Sequence, residues 1–175
     1  MSSDLPPVRY PKVPLGRRSA AFCIDLFTVG LVSASIGPTP IALGLVFIPA
    51  WLGMRVVLVS KNHGQSLGWW AMDMRIADQL DGRIPELKTL LKREGLLGGA
   101  AFLAWLGLLS LSPATPWAPL CFVPLAIDCS AAFADSRQQA FHDQWAETVL
   151  VPSRRGFSLD LKIRQLLADV QNRMK

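Results

Sequence analysis

Asp25, Arg55 and Asp128 are the residues of this chain that could do chemistry, because they stand nearly alone in apolar surroundings. From Ser19 to Val59 the only charged side chains are Asp25 and Arg55. From Gly95 to Ala134 the only one is Asp128. A carboxylate at bilayer depth costs about 2.5–3.5 kcal/mol on insertion scales, so such groups take partners and often have a task. Two carboxylates against one guanidinium leave one negative charge over. That charge must be neutralised by a proton, a bound cation or another base, since an isolated ion in hydrocarbon is too costly. The chemistry suggested is the handling of a proton or a cation, or a polar cavity that takes a ligand. The plainer reading is an interhelical ion pair that sets helix register, with Arg55 also able to snorkel to the surface.

The elements that must position these groups follow from the apolar runs. Each run is about forty residues, and one helical crossing takes about 20. Each is therefore read as a hairpin of two helices. Gly37-Pro38-Thr39-Pro40 divides the first, and Ser112-Pro113-Ala114-Thr115-Pro116 the second. Proline lacks the donor a helix interior needs. The predicted spans are 19–36, 40–59, 95–111 and 117–134, the last interrupted again by Pro119 and Pro124. Asp25 lies seven residues beyond Arg18, Arg55 six before Lys61, and Asp128 seven before Asp135. At a rise of 1.5 Å per residue, all three sit roughly 9–10 Å below one surface.

The 175 residues form one domain, with 51% hydrophobic residues, 18% charged residues and a net charge of +5. A soluble bundle is disfavoured because its helices would need polar faces, and the two runs have none. Seventeen of the eighteen Lys and Arg lie in 1–18, 60–94 and 135–175. The positive-inside bias puts both termini and the middle loop in the cytoplasm. The same placement explains the basic character without nucleic acid: the charges flank apolar spans and face anionic lipid. Trp69, Trp70, Trp117 and Trp145 fit aromatic belts or ordinary packing. Cys23, Cys121 and Cys129 all fall in apolar segments, and no pair has metal-ligand spacing or implies a disulfide framework. His63 and His142 are far apart, and no metal or cofactor is assigned. The N-terminal residues lack the pattern of a cleavable signal.

Outside the spans, residues 1–14 are proline-rich and irregular. Residues 71–78 alternate apolar and polar, as a strand does, and Asp81-Gly82 is a turn. Pro85 suits the first position of a helix that runs to Glu94 at the membrane surface and leads into the third span. Ser136–Ala146 reads as a helix and Thr148–Pro152 as a short strand that could pair with 72–77. Residues 158–175 form an amphipathic basic helix, suited to a membrane interface or to packing on that sheet.

Four motifs now resemble the RDD membrane proteins, a family named for one arginine and two aspartates. Arg18, Ala21 and Asp25 match the start of the family's first span. Gly64-Gln65-Ser66-Leu67-Gly68 is similar to its G-x-T/S-x-G turn after span two. Arg93 is like the arginine before its next span. Arg137 to Val151 is similar to its R-Q-x-x-H-D-x-x-A-G-T-x-V-V ending. By that likeness Arg18 and Asp25 are signature residues, and Asp128 and Asp143 both fit part of the pattern of the second aspartate. Trp69 stands where the family often has Lys, and Glu147 where it often has Gly. The resemblance implies an all-α bacterial membrane protein: a cytoplasmic segment 1–16, an RDD-like domain 17–152 with four spans in two hairpins and a small cytoplasmic β element, and an amphipathic tail 153–175. It implies a transport-related role, in cation, proton or small-ligand handling. The alternative is a non-transporting assembly factor or accessory subunit. The partners expected are the lipid bilayer and a homo-oligomer or larger membrane complex. No enzyme is read here: Ser66 and His142 lack an acid–base partner nearby in sequence, and His142-Asp143 reads as a local hydrogen-bonding pair or helix cap.

Overall fold

A computed structural model describes residues 10–37 and 39–153, with Leu159, Leu161 and Lys162 beyond them. Four long helices dominate: α1 (Leu15–Ala34), α2 (Pro40–Lys61), α4 (Leu87–Leu109) and α5 (Ala118–Ala134). Two short helices, α3 (Leu67–Ala71) and α6 (Phe141–Trp145), and two strands, β1 (Met74–Asp78) and β2 (Thr148–Pro152), gather at one end. Among the described residues α2 is the one helix that is both long and apolar enough throughout to count as a membrane span by length and composition, and α5 is a shorter apolar helix.

Local chemistry sets the helix ends. Thr39 caps α2, its side chain accepting from the Ala42 N–H, and Pro40 takes the first position where its missing donor costs nothing. Ser66 caps α3 through the Trp69 N–H. Within α2 the residues Gly53–Leu58 form a π turn that contains Arg55. Such wide turns recur at functional sites.

Helix α1 packs on α2 and α3, α2 on α4, and α4 on α5, while α1 and α5 meet only sparsely. Leu26, Val29, Phe47, Trp51, Leu97, Ala101 and Trp105 form the core between α1, α2 and α4. A second cluster, including Val56, Val59, Trp69, Met74, Ile76 and Leu150, joins the helices to the sheet. The sheet is one antiparallel pair, from Met74 opposite Pro152 to Asp78 opposite Thr148. The expected pairing is therefore present, shifted slightly along the first strand.

Polarity is inverted relative to a water-soluble globule. Charged Asp25, Arg55, Arg93 and Glu94 are buried, whereas Ile41 is 77% exposed and Phe133 79%. Apolar outer faces of this extent mark a surface that meets an apolar medium or a partner.

Three local expectations change. The helix expected over 86–94 is no separate surface element: α4 runs unbroken from Leu87, with Glu86 as its cap and Pro85 outside it. Its first turns are therefore part of the bundle, and Arg93 and Glu94 are buried. The helix expected over Ser136–Ala146 shrinks to Phe141–Trp145. The Asp135 carboxylate accepts from the Arg137 and Gln139 N–H groups, and Gln138 has a left-handed φ of 58°, so the chain turns there instead. Leu159, Leu161 and Lys162 are helical and exposed, but the rest of the amphipathic helix expected over 158–175 lies outside the described residues.

The turn Gly64–Gly68 presses against α1. A Cβ on Gly68 would come within 2.0 Å of the Ala21 carbonyl oxygen. Backbone cannot yield that much, so Gly68→Ala should destabilise by about 1–3 kcal/mol. Gly95→Ala, on α4 with nothing within 4 Å of the added carbon, should be neutral or stabilising by up to about 1 kcal/mol. Thermal unfolding of both variants in detergent checks this, and a Gly68→Ala protein as stable as wild type would contradict the close approach.

Candidate functional site

Asp25 falls on the inward face of α1, on the same stripe as Ala21 and Val29. Its carboxylate accepts from the Gly68 N–H at 2.7 Å, the Ser66 hydroxyl at 2.7 Å and Arg55 Nη1 at 2.6 Å. The close approach of Gly68 to Ala21 is what brings the first two donors within reach.

Arg55 carries the charge onward from α2 to α4. Its Nε donates to Glu94 Oε2 at 2.8 Å and its Nη2 to Glu94 Oε1 at 3.2 Å. This is the bidentate fork that arginine makes with a carboxylate. The guanidinium also lies 4.3 Å from the Trp69 ring centre and 5.0 Å from that of Trp51, where the π faces attract it. Trp51 Nε1 donates to Glu94 Oε2 at 3.2 Å.

Arg93, beside Glu94 on α4, donates to it and turns to α6. Its Nε and Nη2 reach Asp143 Oδ1 at 2.9 and 2.5 Å. Arg18 on α1 donates to the Asp143 carboxylate and to the Gln138 carbonyl. Asp143 also accepts from the Ala140 N–H, at 3.3 Å, at the start of α6.

The last link joins α6 to α5. Asp128 accepts from the His142 N–H at 2.9 Å, and its other oxygen is 2.5 Å from His142 Nδ1. His142 Nε2 lies between Arg93 Nη2 at 3.0 Å and Asp143 Oδ1 at 3.2 Å. A neutral ring protonated at Nδ1 accepts from Arg93 there. An imidazolium donates to Asp143 instead. Either protonation state finds a partner at both nitrogens.

The network joins four carboxylates (Asp25, Glu94, Asp128, Asp143) to three guanidiniums (Arg18, Arg55, Arg93). It balances when His142 is protonated and is one positive charge short when it is not. Burial disfavours the His142 imidazolium and Arg93 repels it, but the Asp143 charge and the hydrogen bonds to Asp128 and Asp143 prevail, and its pKa rises above the ordinary value. Burial likewise pushes the Asp143 carboxyl up, yet Arg93, His142 and Arg18 hold it well below the usual range.

A cavity of about 360 Å³ opens beside the network between α1 and α5, lined by Arg18, Arg55, Arg93 and His142 at its polar end. Among the described residues no group of three His, Cys, Asp or Glu is placed to hold a metal.

All five residues singled out from the sequence are in or on this network: Arg18, Asp25, Arg55, Asp128 and Asp143. Asp25 and Arg55 are in direct contact. Asp128 does not meet Arg55, contrary to the simplest form of the charged-layer expectation. It is joined to Arg55 only through His142, the Arg93–Asp143 pair and Glu94. Asp143 and His142 are more than a local pair, since they take partners from α1, α4 and α5. Glu94 was missed as a site residue, although its spacing from Leu97 and Ala101 puts it on the inward face of α4. The two departures from the RDD pattern also find places. Trp69 stacks with two arginines, Arg93 lying 5.1 Å from its ring centre, so a lysine there would add a like charge between them. Glu147 has φ 52°, the left-handed conformation that glycine adopts most readily.

Removing Arg55 leaves buried Asp25 with no counter-charge and Glu94 with Arg93 alone, so Arg55→Met should cost about 3–5 kcal/mol. Arg55→Lys keeps the charge without the fork and should fall between that variant and wild type. Unfolding in detergent mixtures measures both. A pKa raised in the folded state means that His142 stabilises fully below the ordinary imidazole value near 6.5 and ceases to as pH climbs through the raised value. The melting temperature should therefore fall as pH rises above about 6.5, and the slope should flatten in His142→Gln. An unchanged slope would exclude His142 as the titrating group.

Comparison with known proteins agrees with this arrangement. The RDD family model matches residues 12–147, which hold every residue of the network. No curated protein and no solved structure matches the chain. With that match over most of its length, the chain belongs to the RDD family of membrane-associated proteins.

Proposed function

We propose that this is a four-span integral membrane protein in which the network from Asp25 to Asp128 holds one exchangeable proton and couples it to the movement of a cation or small ligand. The spans are α1, α2, α4 and α5, paired as two hairpins. Basic residues cluster at the end that carries the sheet, which supports a cytoplasmic position for that end and for both termini. On this reading 1–16 is a cytoplasmic segment, 17–152 the membrane domain and 153–175 a cytoplasmic tail. Four helices leave little room for an internal pathway, so a homo-oligomer within the bilayer is the working unit. No catalytic chemistry is assigned.

The observation that carries the reading is the position of His142 Nε2, between a donor and an acceptor, in a network otherwise short of one positive charge. A purely structural ion network gains most from fixed, balanced charges. This one has a member that can gain or lose a proton without losing a hydrogen-bond partner.

Proteoliposomes with a trapped pH-sensitive dye test it. A pH gradient should dissipate on addition of Na⁺ or K⁺ with the wild type, and at least tenfold more slowly with Asp128→Asn or His142→Gln protein that still unfolds cooperatively. Equal flux in wild type and in the Asp25→Asn, Asp128→Asn double variant would overturn the transport reading in favour of an assembly or accessory role.

A further inference from the structure

The cavity between α1 and α5 has two unlike ends. Phe22 and Leu26 of α1, Leu97 of α4, and Phe122 and Leu125 of α5 form its apolar walls, while Phe133 lines it from the sheet end of α5. At the other end the basic side chains that line it are Arg18, Arg55, Arg93 and His142, and none of the network's four carboxylates is among the lining residues. The cavity therefore meets hydrogen-bond donors. Arg55 and Arg93 spend most of theirs on carboxylates, but Arg18 has five N–H donors and uses two nitrogens, on Gln138 and Asp143, among the described residues. Arg18 is also the least buried of the three arginines.

Its access is sideways. Helices α1 and α5 meet only sparsely, and Cys23 on α1 and Cys129 on α5 line the cavity while remaining exposed. With α1 and α5 as spans, that opening faces the hydrocarbon of the bilayer. A volume of about 360 Å³ lies at the small end of ligand sites, roughly 300–1,000 Å³, so it suits one aliphatic chain and not a two-chain phospholipid.

We infer that this cleft binds a single-chain amphiphilic carboxylate of the fatty-acid type, entering from the lipid, with its tail along Phe22, Leu26 and Leu125 and its head on Arg18. The charge pattern selects the head group. A guanidinium with spare donors matches a carboxylate, whereas a cationic head would meet arginines. A dianionic head would be repelled by Asp143, which already shares Arg18. His142 is faced by Asp128 of α5, Arg93 and Glu94 of α4, and Asp143 of α6. A second anion beside that set is tolerated best when His142 carries its proton. The inference rests on the membrane reading above and names a ligand class for the same site.

Binding of cis-parinaric acid to the full chain in lipid nanodiscs tests it, read as energy transfer from tryptophan, with empty nanodiscs as reference. Trp69 lines the cleft. Binding should be saturable, and palmitate should compete at least tenfold better than hexadecanol or hexadecyltrimethylammonium. Cys129→Phe, which fills the rim at an exposed position, should weaken binding at least tenfold with an unchanged unfolding temperature. Absence of saturable binding, equal competition by hexadecanol, or wild-type affinity in Cys129→Phe would each overturn the inference. Cation-driven proton flux measured without fatty acid is independent of these outcomes, so flux with no binding would remove the ligand assignment alone and leave the proton reading standing.

Discussion

The contact between Arg55 and the carboxylates of Asp25 and Glu94 is the constraint on which the structure turns. Each of these groups is nearly or fully buried, and a charge in that position is tolerable only when paired and hydrogen-bonded. Satisfying it fixes three helices at once. Asp25 must face inward from α1, Glu94 must face inward from α4, and the π turn of α2 must present the guanidinium between them. Trp51 and Trp69 then close the faces of the guanidinium that no carboxylate can reach.

The motif residues are intelligible as servants of that contact. Ala21 and Gly68 are small where two backbones meet, which lets the Gly68 N–H and the Ser66 hydroxyl complete the shell of Asp25. Arg93 repeats the arrangement one step along α4 and hands it to Asp143, which Arg18 also holds. His142 ends the chain at Asp128. The network thus ties α1, α2, α4, α5 and α6 at the sheet end, while α1 and α5 meet only sparsely where the cavity lies.

Much of the architecture was legible. Hydropathy marked the four long helices and their prolines marked the breaks, to within a few residues at most ends. Alternation found both strands, and their pairing was anticipated. The extent of α4 and α6 was misread for opposite reasons. Lys88, Lys92, Arg93 and Glu94 made the start of α4 look like a surface helix, since composition alone does not say that two of these charges neutralise each other inside. Residues 136–140 have helical composition but are held in a turn by the Asp135 side chain. For the site, the isolated charges of the apolar runs were found because they violate a strong local rule. Glu94 was overlooked, and His142 was read only as part of a local pair or helix cap, because each sits where charged residues are ordinary.

What the amino-acid order determines unaided is where charge is scarce, which segments are helical, and that Asp25, Arg55 and Asp128 need company. These are properties of short windows, and they survive without knowledge of the fold. Which partner each charge takes was decided by the tertiary structure alone. Arg18 meets Asp143 across 125 positions of chain, and Asp128 is held by a histidine and not by an arginine, because pairing depends on which helix faces converge, and convergence is set by packing of the whole bundle.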